Sequence, residues 1–105
     1  MSLPDRRGVM MMLHAVAEIQ VIPIGVGVSV RPWIEKVVDV IEARGFEVES
    51  HAYGTNVEGE LDAITALVGE IHRFLHADGV PRVSTVVKIG TRTDKAVRLA
   101  DKRVR

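Results

Sequence analysis

The sequence predicts an α+β protein: a four-stranded antiparallel sheet with two helices packed on one of its faces. Three segments show the period-two alternation of side chains that is typical of β-strands, and a shorter fourth segment fits a strand between two of them. Two further segments carry apolar residues at i, i+3, i+4 and i+7, which is typical of amphipathic helices. The order along the chain is β-α-β-β-α-β, with glycines at the breaks.

Length and composition limit the possible functions. A chain of 105 residues forms one domain, and we expect that domain to span residues 9–105 after a flexible leader at residues 1–8. The formal net charge is zero and the charges are mixed along the chain, which argues against a protein of nucleic acids or membrane surfaces. The chain has no cysteine, which excludes disulfides and thiol chemistry and fits a cytoplasmic protein.

The first strand is predicted from Leu13 and should end near Pro23, which cannot donate to a strand ladder. Glycines at positions 25 and 27 then allow a turn into a helix. One face of this strand is wholly apolar and consists of Leu13, Ala15, Ala17, Ile19 and Val21. The other face is mixed, so it should meet solvent, a ligand or another subunit; it consists of His14, Val16, Glu18, Gln20 and Ile22.

The first helix is predicted over Pro32–Arg44, because Ile34, Val37, Val38 and Ile41 form one apolar stripe. Ser29 lies just upstream, where its hydroxyl group either caps the helix or contacts a ligand at the positive end of the helix dipole. Gly45 follows the helix at the position that favours a left-handed backbone.

The second half of the chain repeats the pattern. Alternation predicts a strand over Phe46–Tyr53, and a shorter strand follows over Thr55–Glu60. An apolar stripe predicts a second helix over Leu61–Ala77, which Gly79 ends. Alternation over 82–89 predicts the fourth strand, and the remaining TRTDKAVRLADKRVR predicts a short, exposed C-terminal helix.

This order of elements is that of the ferredoxin-like fold, in which the first strand is central. Both helices cover one face of the sheet, and the opposite face, here termed the open face, stays uncovered. By alternation the open face carries Val16, Glu18, Gln20, Ile22, Glu49, His51, Tyr53, Ser84, Val86 and Lys88. A partly apolar surface of this size is unusual on a free monomer, so sheet-to-sheet homo-oligomerisation is the simplest way to cover it.

Three motifs occur together in this framework. I-P-x-G follows the first strand, Y-G-T-x-x-E-G-E joins the second strand to the third, and V-K-I-x-x-R-x-D closes the fourth. With these motifs, nearly all of residues 13–95 resembles the thiamine-binding-protein (YkoF-like) family of small ferredoxin-like domains, long an uncharacterised family. The resemblance implies homodimers or homotetramers formed through the sheets. It also implies non-enzymatic binding of thiamine or its pyrimidine moiety.

Thiamine presents a cationic thiazolium ring and an aminopyrimidine with donors and acceptors. A receptor therefore needs a carboxylate or a π face for the cation and polar groups for the pyrimidine edge. The open face offers such groups in Glu18, Gln20, Glu49, His51 and Tyr53, with Ser29 at its edge. The alternative interpretation is that these residues make polar contacts within a subunit interface.

Other polar residues have simpler interpretations. Glu58 and Glu60 either line a cationic ligand or, as we prefer, are a solvated loop carboxylate and a helix-start carboxylate. His72 and His76 have the i, i+4 spacing of a metal pair, but no acidic residue stands beside them, so a solvated or oligomer-facing pair is favoured. Trp33, in the first turn of its helix, is interpreted as a packing anchor.

Catalysis finds no support in the motifs: there is no cysteine, no G-x-S-x-G and no glycine-rich phosphate loop. We expect no catalytic residues, no metal and no cofactor. The basic C-terminus is interrupted by Asp94 and Asp101, which favours a solvated helix over nucleic-acid binding. Our first hypothesis is a cytoplasmic thiamine- or pyrimidine-binding protein, and the second is a homo-oligomeric interaction module without a dedicated ligand. An enzyme acting on a thiamine-like compound is the weakest alternative.

Overall fold

The computed structural model describes residues 12–95 and 98–102. The predicted leader, residues 1–8, lies outside the described residues. The strands and helices, in chain order, are β1 His14–Ile24, α1 Arg31–Ala43, β2 Glu47–His51, β3 Gly54–Glu60, α2 Leu61–Ala77 and β4 Arg82–Thr91. No helix among the described residues is long and apolar enough to cross a membrane.

The four strands form one antiparallel sheet in the order β2-β3-β1-β4, as the ferredoxin-like fold requires. The prediction that β1 is central is confirmed, since β1 pairs with β3 on one side and with β4 on the other. The shorter predicted strand also forms, as β3, and β2 is shorter than predicted because the chain turns after His51. Both helices lie on the same side of the sheet as the apolar face of β1.

The hydrophobic core lies between that face and the two helices. Ala15, Ala17 and Ile19 are almost completely buried, as the alternation of β1 predicts. They meet the predicted helix stripes, which contribute Val37, Ile41, Ile64, Leu67, Ile71 and Leu75. Trp33 packs against this cluster, which confirms its interpretation as a packing residue.

The helix ends differ from the prediction at one point. Helix α1 begins at Arg31 with Val30 as its N-cap, and no side chain caps it, so the capping role predicted for Ser29 is wrong. Val30 itself has helical backbone angles, and its carbonyl group accepts hydrogen bonds from Trp33 and Ile34. The predicted stop of α1 is confirmed, because Gly45 has a φ of +85°.

The predicted exposed C-terminal helix is not found in the described residues. Residues Leu99–Lys102 instead form a single 3₁₀ turn. Leu99 is only 8% exposed, because this turn packs against β3 rather than extending into solvent. The prediction was wrong because it rested on the local helical pattern, and a local pattern carries no information on contacts between residues about forty positions apart.

Gly59 in β3 lies directly beneath the ring of Phe46. A Cβ atom at position 59 would come within 2.7 Å of the Cδ1 and Cε1 atoms of that ring. Gly90 in β4 is also a strand glycine, but a Cβ atom there would have no neighbour within 4 Å. The two glycines therefore form a matched pair for testing how tightly this part of the structure is packed.

We predict that Gly59→Ala lowers the free energy of unfolding by about 1 to 3 kcal/mol, because the Phe46 ring must move out of its place in the core. Gly90→Ala should change it by less than about 0.5 kcal/mol, as is usual for exposed sites. Urea unfolding followed by circular dichroism gives both values. Equal stability of the two variants would contradict the packing of Phe46 on Gly59.

Candidate functional site

The candidate site lies where β1 continues beyond its neighbour β3. The pairing of β1 with β3 ends at Ile19↔Thr55, whereas its pairing with β4 continues as far as Ile24↔Arg82. Beyond Ile19, the edge of β1 that faces the β2–β3 hairpin therefore has no strand paired with it. The hairpin turns back through Ala52 and Tyr53 at this level, which leaves a notch in the sheet.

A cavity of about 250 Å³ fills this notch. Its apolar floor is formed by side chains of α1 and of its N-cap residue, and its walls by the end of β1 and the tip of the β2–β3 hairpin. The floor residues are Val30, Ile34, Val37 and Ile41. The cavity exists because α1 spans the notch from the helix side while no strand fills it.

Three of the six predicted site residues line this cavity. Gln20 contributes from β1, and His51 and Tyr53 contribute from the hairpin. Tyr53 is 79% exposed, so its phenol ring is a wall open to solvent. Ser29 does not line the cavity, although the next residue, Val30, does.

The two predicted carboxylates stand on the open face beside the cavity rather than inside it. Glu18 Oε2 lies 3.1 Å from His51 Nε2, so Glu18 is connected to the cavity rim by its contact with the imidazole ring. Glu49 lies in β2, two strands from Glu18, and accepts a hydrogen bond from Asn56 Nδ2 at 3.4 Å. The structure therefore brings these residues into one polar cluster, but only part of that cluster faces the cavity.

Asn56 was missed by the sequence analysis and connects this cluster. It is the cross-strand partner of both Glu18 and Glu49, and its Oδ1 atom lies 3.2 Å from His51 Nε2. The same cross-strand row of side chains extends to β4, where Lys88 is the register partner of Glu18. The signal that could have found Asn56 is the strand register, which a single sequence does not fix.

The hydrogen bonds around His51 specify its tautomer. The main-chain N–H of Tyr53 donates to Nδ1 at 3.4 Å, so Nδ1 acts as an acceptor. Nε2 faces two acceptor oxygens, Oε2 of Glu18 and Oδ1 of Asn56, and therefore carries the proton. The imidazole ring is thus held at the cavity rim between the hairpin and the open face.

Glu58 is buried on the open face, with 4% of its side chain exposed. Its Oε1 atom accepts a hydrogen bond from the main-chain N–H of Leu99 at 2.7 Å. Its Oε2 atom lies 2.5 Å from Nε of Arg98 and 2.8 Å from Nε2 of His14. The preferred interpretation of Glu58 as a solvated carboxylate is wrong, because the chain's own C-terminal segment covers it.

The environment of Glu58 acts on its pKa in two directions. Burial raises the pKa, whereas the N–H of Leu99, the imidazole of His14 and the guanidinium of Arg98 lower it. The lowering contributions prevail, so the pKa of Glu58 lies below the ordinary value of a glutamate. Glu60 is the N-cap of α2 and accepts a hydrogen bond from the N–H of Ala63 at 3.1 Å, which confirms its interpretation as a helix-start carboxylate.

The histidine pair on α2 has partners within the chain. His72 Nε2 lies 2.7 Å from the hydroxyl oxygen of Thr85, and His76 Nδ1 donates to the carbonyl oxygen of Val80 at 2.8 Å. Across residues 12–95 and 98–102, no three acidic, histidine or cysteine side chains come together as a metal site would require. The two rings therefore connect α2 to β4 and to the segment that enters β4.

Comparison with known proteins now identifies the family. The family model described as "Thiamine-binding protein" matches residues 17–105, which include all the residues of the notch. The chain belongs to this family. The relatives include the UPF0045 protein MJ1052 of Methanocaldococcus jannaschii, 39% identical over 84 residues, with 80% of this chain and 83% of the relative covered. The UPF0045 protein sll0230 of Synechocystis sp. is 37% identical over 90 residues, with 86% and 74% covered.

Solved structures of relatives share the fold of this thiamine-binding-family chain. The crystal structure of the Methanocaldococcus protein superposes with a TM-score of 0.78 at 36% identity and covers 85% of this chain and 91% of the other. A domain of unknown function from Bacillus cereus has a TM-score of 0.77 at 25% identity, with 87% and 88% covered. A Thermotoga maritima structure has a TM-score of 0.74 at 22% identity, with 85% and 94% covered, which shows a common fold.

We predict that Glu58 makes the stability of this protein depend on acid. At neutral pH, Glu58→Gln should lower the free energy of unfolding by about 1 to 2 kcal/mol, because a charge-assisted contact with the half-exposed Arg98 is lost. A lowered pKa stabilises the folded state above the ordinary glutamate pKa of about 4.3, and this contribution is lost as the pH falls through the folded-state value. The difference between wild type and variant should therefore shrink toward zero in acid.

Urea unfolding at a series of pH values measures this difference. The matched control is Glu47→Gln, which removes the exposed carboxylate directly across the β2–β3 ladder from Glu58. This control should differ from wild type by less than about 0.5 kcal/mol at every pH. A pH-independent difference for Glu58→Gln would show that its charge does not stabilise the fold.

Proposed function

We propose that this protein is a non-enzymatic binding protein for thiamine or a related pyrimidine, acts in the cytoplasm, and holds its ligand in the notch between β1, α1 and the β2–β3 hairpin. The observation that carries the proposal is the apolar cavity with Gln20, His51 and Tyr53 at its rim. The family description supports a binding role. The Thermotoga neighbour, a candidate thiamine biosynthesis/salvage protein, supports the same class of ligand.

The size and lining of the cavity suit one heteroaromatic ring. Its volume of about 250 Å³ is below the range typical of pockets for drug-sized ligands, about 300 to 1,000 Å³. A pyrimidine ring is flat and apolar on both faces, so it suits a floor of branched aliphatic side chains. The rest of thiamine would extend past the rim toward solvent.

The polar edge of such a ring needs donors and acceptors at fixed positions. The amide of Gln20 and the unpaired main-chain edge of β1 after Ile19 offer both kinds of group. For a cation beyond the rim, the exposed ring of Tyr53 offers a π face and the carboxylate of Glu18 a negative charge beside His51. These groups hydrogen-bond and neutralise charge, so the proposal is binding without turnover.

We predict that isothermal titration with thiamine and with the free pyrimidine alcohol gives saturable binding at about one ligand per chain. Gln20→Ala should weaken binding about three- to tenfold, as expected for the loss of one hydrogen bond. Ala52→Trp should abolish binding, because an indole ring at the exposed hairpin turn would fill the cavity mouth.

The matched control for the blocking variant is Ala66→Trp, which places the same ring on an exposed position of α2, away from the cavity. It should bind like wild type. Equal binding by both Trp variants would move the site away from the notch, and flat heats for the wild type with both compounds would overturn the proposed ligand class. Release of a modified compound during incubation would overturn the non-enzymatic role.

The second candidate function is homo-oligomeric assembly through the open face, as a dimer or a tetramer. The specific observation is the apolar exposure on that face: Val86 is 55% exposed at the centre of β4 and Ile22 is 37% exposed on β1. These side chains lie on neighbouring strands, because Gln20 pairs with Val86 and Ile22 with Ser84. A second copy of the chain would remove this surface from water.

We predict that Val86→Asp yields monomers in light scattering coupled to size exclusion, because the new charge would be buried between two sheets. The matched control is Val28→Asp, since Val28 is fully exposed in the loop before α1 and lies outside the sheet. The control should keep the wild-type mass. A monomeric wild type, or an unchanged mass in Val86→Asp, would contradict assembly through this face.

A further inference from the structure

The C-terminal segment crosses the open face at the end that is opposite to the notch. Leu99 lies over β3 and lines a surface depression together with Val16, Lys88 and Gly90 of β1 and β4. The notch lies at the other end, where β1 runs on to Ile24. The open face is thus divided into a covered end and a free end.

The position of the segment shows charge complementarity with the sheet. The outward positions of β2 and β3 carry the carboxylates of Glu47, Glu49 and Glu58, whereas the outward positions of β4 carry Arg82 and Lys88. The segment brings a guanidinium group, Arg98, to the acidic half of the sheet. It also buries one apolar side chain, Leu99, beside that ion pair.

Two of the three contacts of Glu58 come from this segment, and the third comes from His14 of β1. One carboxylate oxygen accepts from the N–H of Leu99 at 2.7 Å, and the other lies 2.5 Å from the guanidinium of Arg98. A main-chain amide and a side-chain cation from two successive residues thus bind one carboxylate whose side chain is 4% exposed. A buried carboxylate is costly without partners, and this segment supplies two of the three, so its docking offsets part of the cost of burying Glu58.

We propose that Arg98 and Leu99 form an intramolecular strap, whose closure on Glu58 sets how much of the open face a second copy of the chain can cover. The strap and the sheet of a second copy compete for the same surface, so a closed strap confines assembly to the free end of the open face around Ile22 and Val86. An open strap exposes Glu58 and Val16 and extends the surface available for contact. The assembly part of this proposal rests on the proposed function; closure of the strap does not.

The first test of strap closure is hydrogen exchange of the Leu99 amide, measured by NMR on the full chain at neutral pH. We expect the amide to exchange about tenfold more slowly in the wild type than in Arg98→Ala, in which one of the two anchoring contacts is lost. Arg98 lies in the strap itself, so this variant leaves the sheet intact. The matched control is Lys95→Ala, which removes a positive charge from the same part of the chain and should keep the slow exchange.

The second test uses trypsin, which cleaves after Arg98. A closed strap protects the Arg98–Leu99 bond, so mass spectrometry should show cleavage of this bond about tenfold faster in Glu58→Ala than in the wild type. Glu47→Ala is the control and should behave as the wild type. Fast exchange of the Leu99 amide in the wild type, or equal cleavage of all three proteins, would overturn the strap.

Both tests are repeated in Val86→Asp to separate the strap from assembly. Slow exchange in this variant supports strap closure within one chain, whatever the oligomeric state of the wild type. Loss of slow exchange in folded Val86→Asp would overturn the intramolecular strap, because protection would then come from a second copy.

For the assembly part, we expect Glu58→Ala to raise the fraction of oligomer at a given concentration in light scattering. An unchanged fraction would overturn the competition between the strap and a second copy, while leaving strap closure standing.

Discussion

The structure depends on the pairing of β1 with two neighbours that differ in length. The N-terminal half of β1 is paired with a strand on both edges. The inward side chains of this half are small or branched and fully buried, so they fix the distance between the sheet and the helices. Its C-terminal half is held by β4 alone. The first half therefore contributes to the core, and the second half has one main-chain edge without a paired strand.

Much of this arrangement could be predicted from sequence because it rests on local periodicity. The inward alternation of Ala15, Ala17 and Ile19 and the stripe of α2 are each visible within one segment, and both are confirmed. The features that were missed depend on register and on distant contacts. Asn56 joins the polar cluster only because β3 lies between β1 and β2, and Leu99 contacts Glu58 across 41 residues.

The candidate site was predictable in part for the same reason. Alternation correctly put Glu18, Gln20, Glu49 and His51 on one face, but it could not show that the cavity opens at the side of the strand. That opening comes from the difference in length between β1 and β3. Ser29 was predicted either to cap the first helix or to contact a ligand, yet the helix begins with the carbonyl group of Val30 and Ser29 does not line the cavity.

The two-residue turn at Ala52 and Tyr53 has a consequence for how this fold can change. The hairpin ends there, one register step beyond the last β1–β3 pair, so the cavity opens where the backbone of β3 stops short of the end of β1. Inserting two residues at this turn would let the hairpin extend along β1 and close the cavity without altering the core. The length of the hairpin therefore determines how much of this cavity stays open.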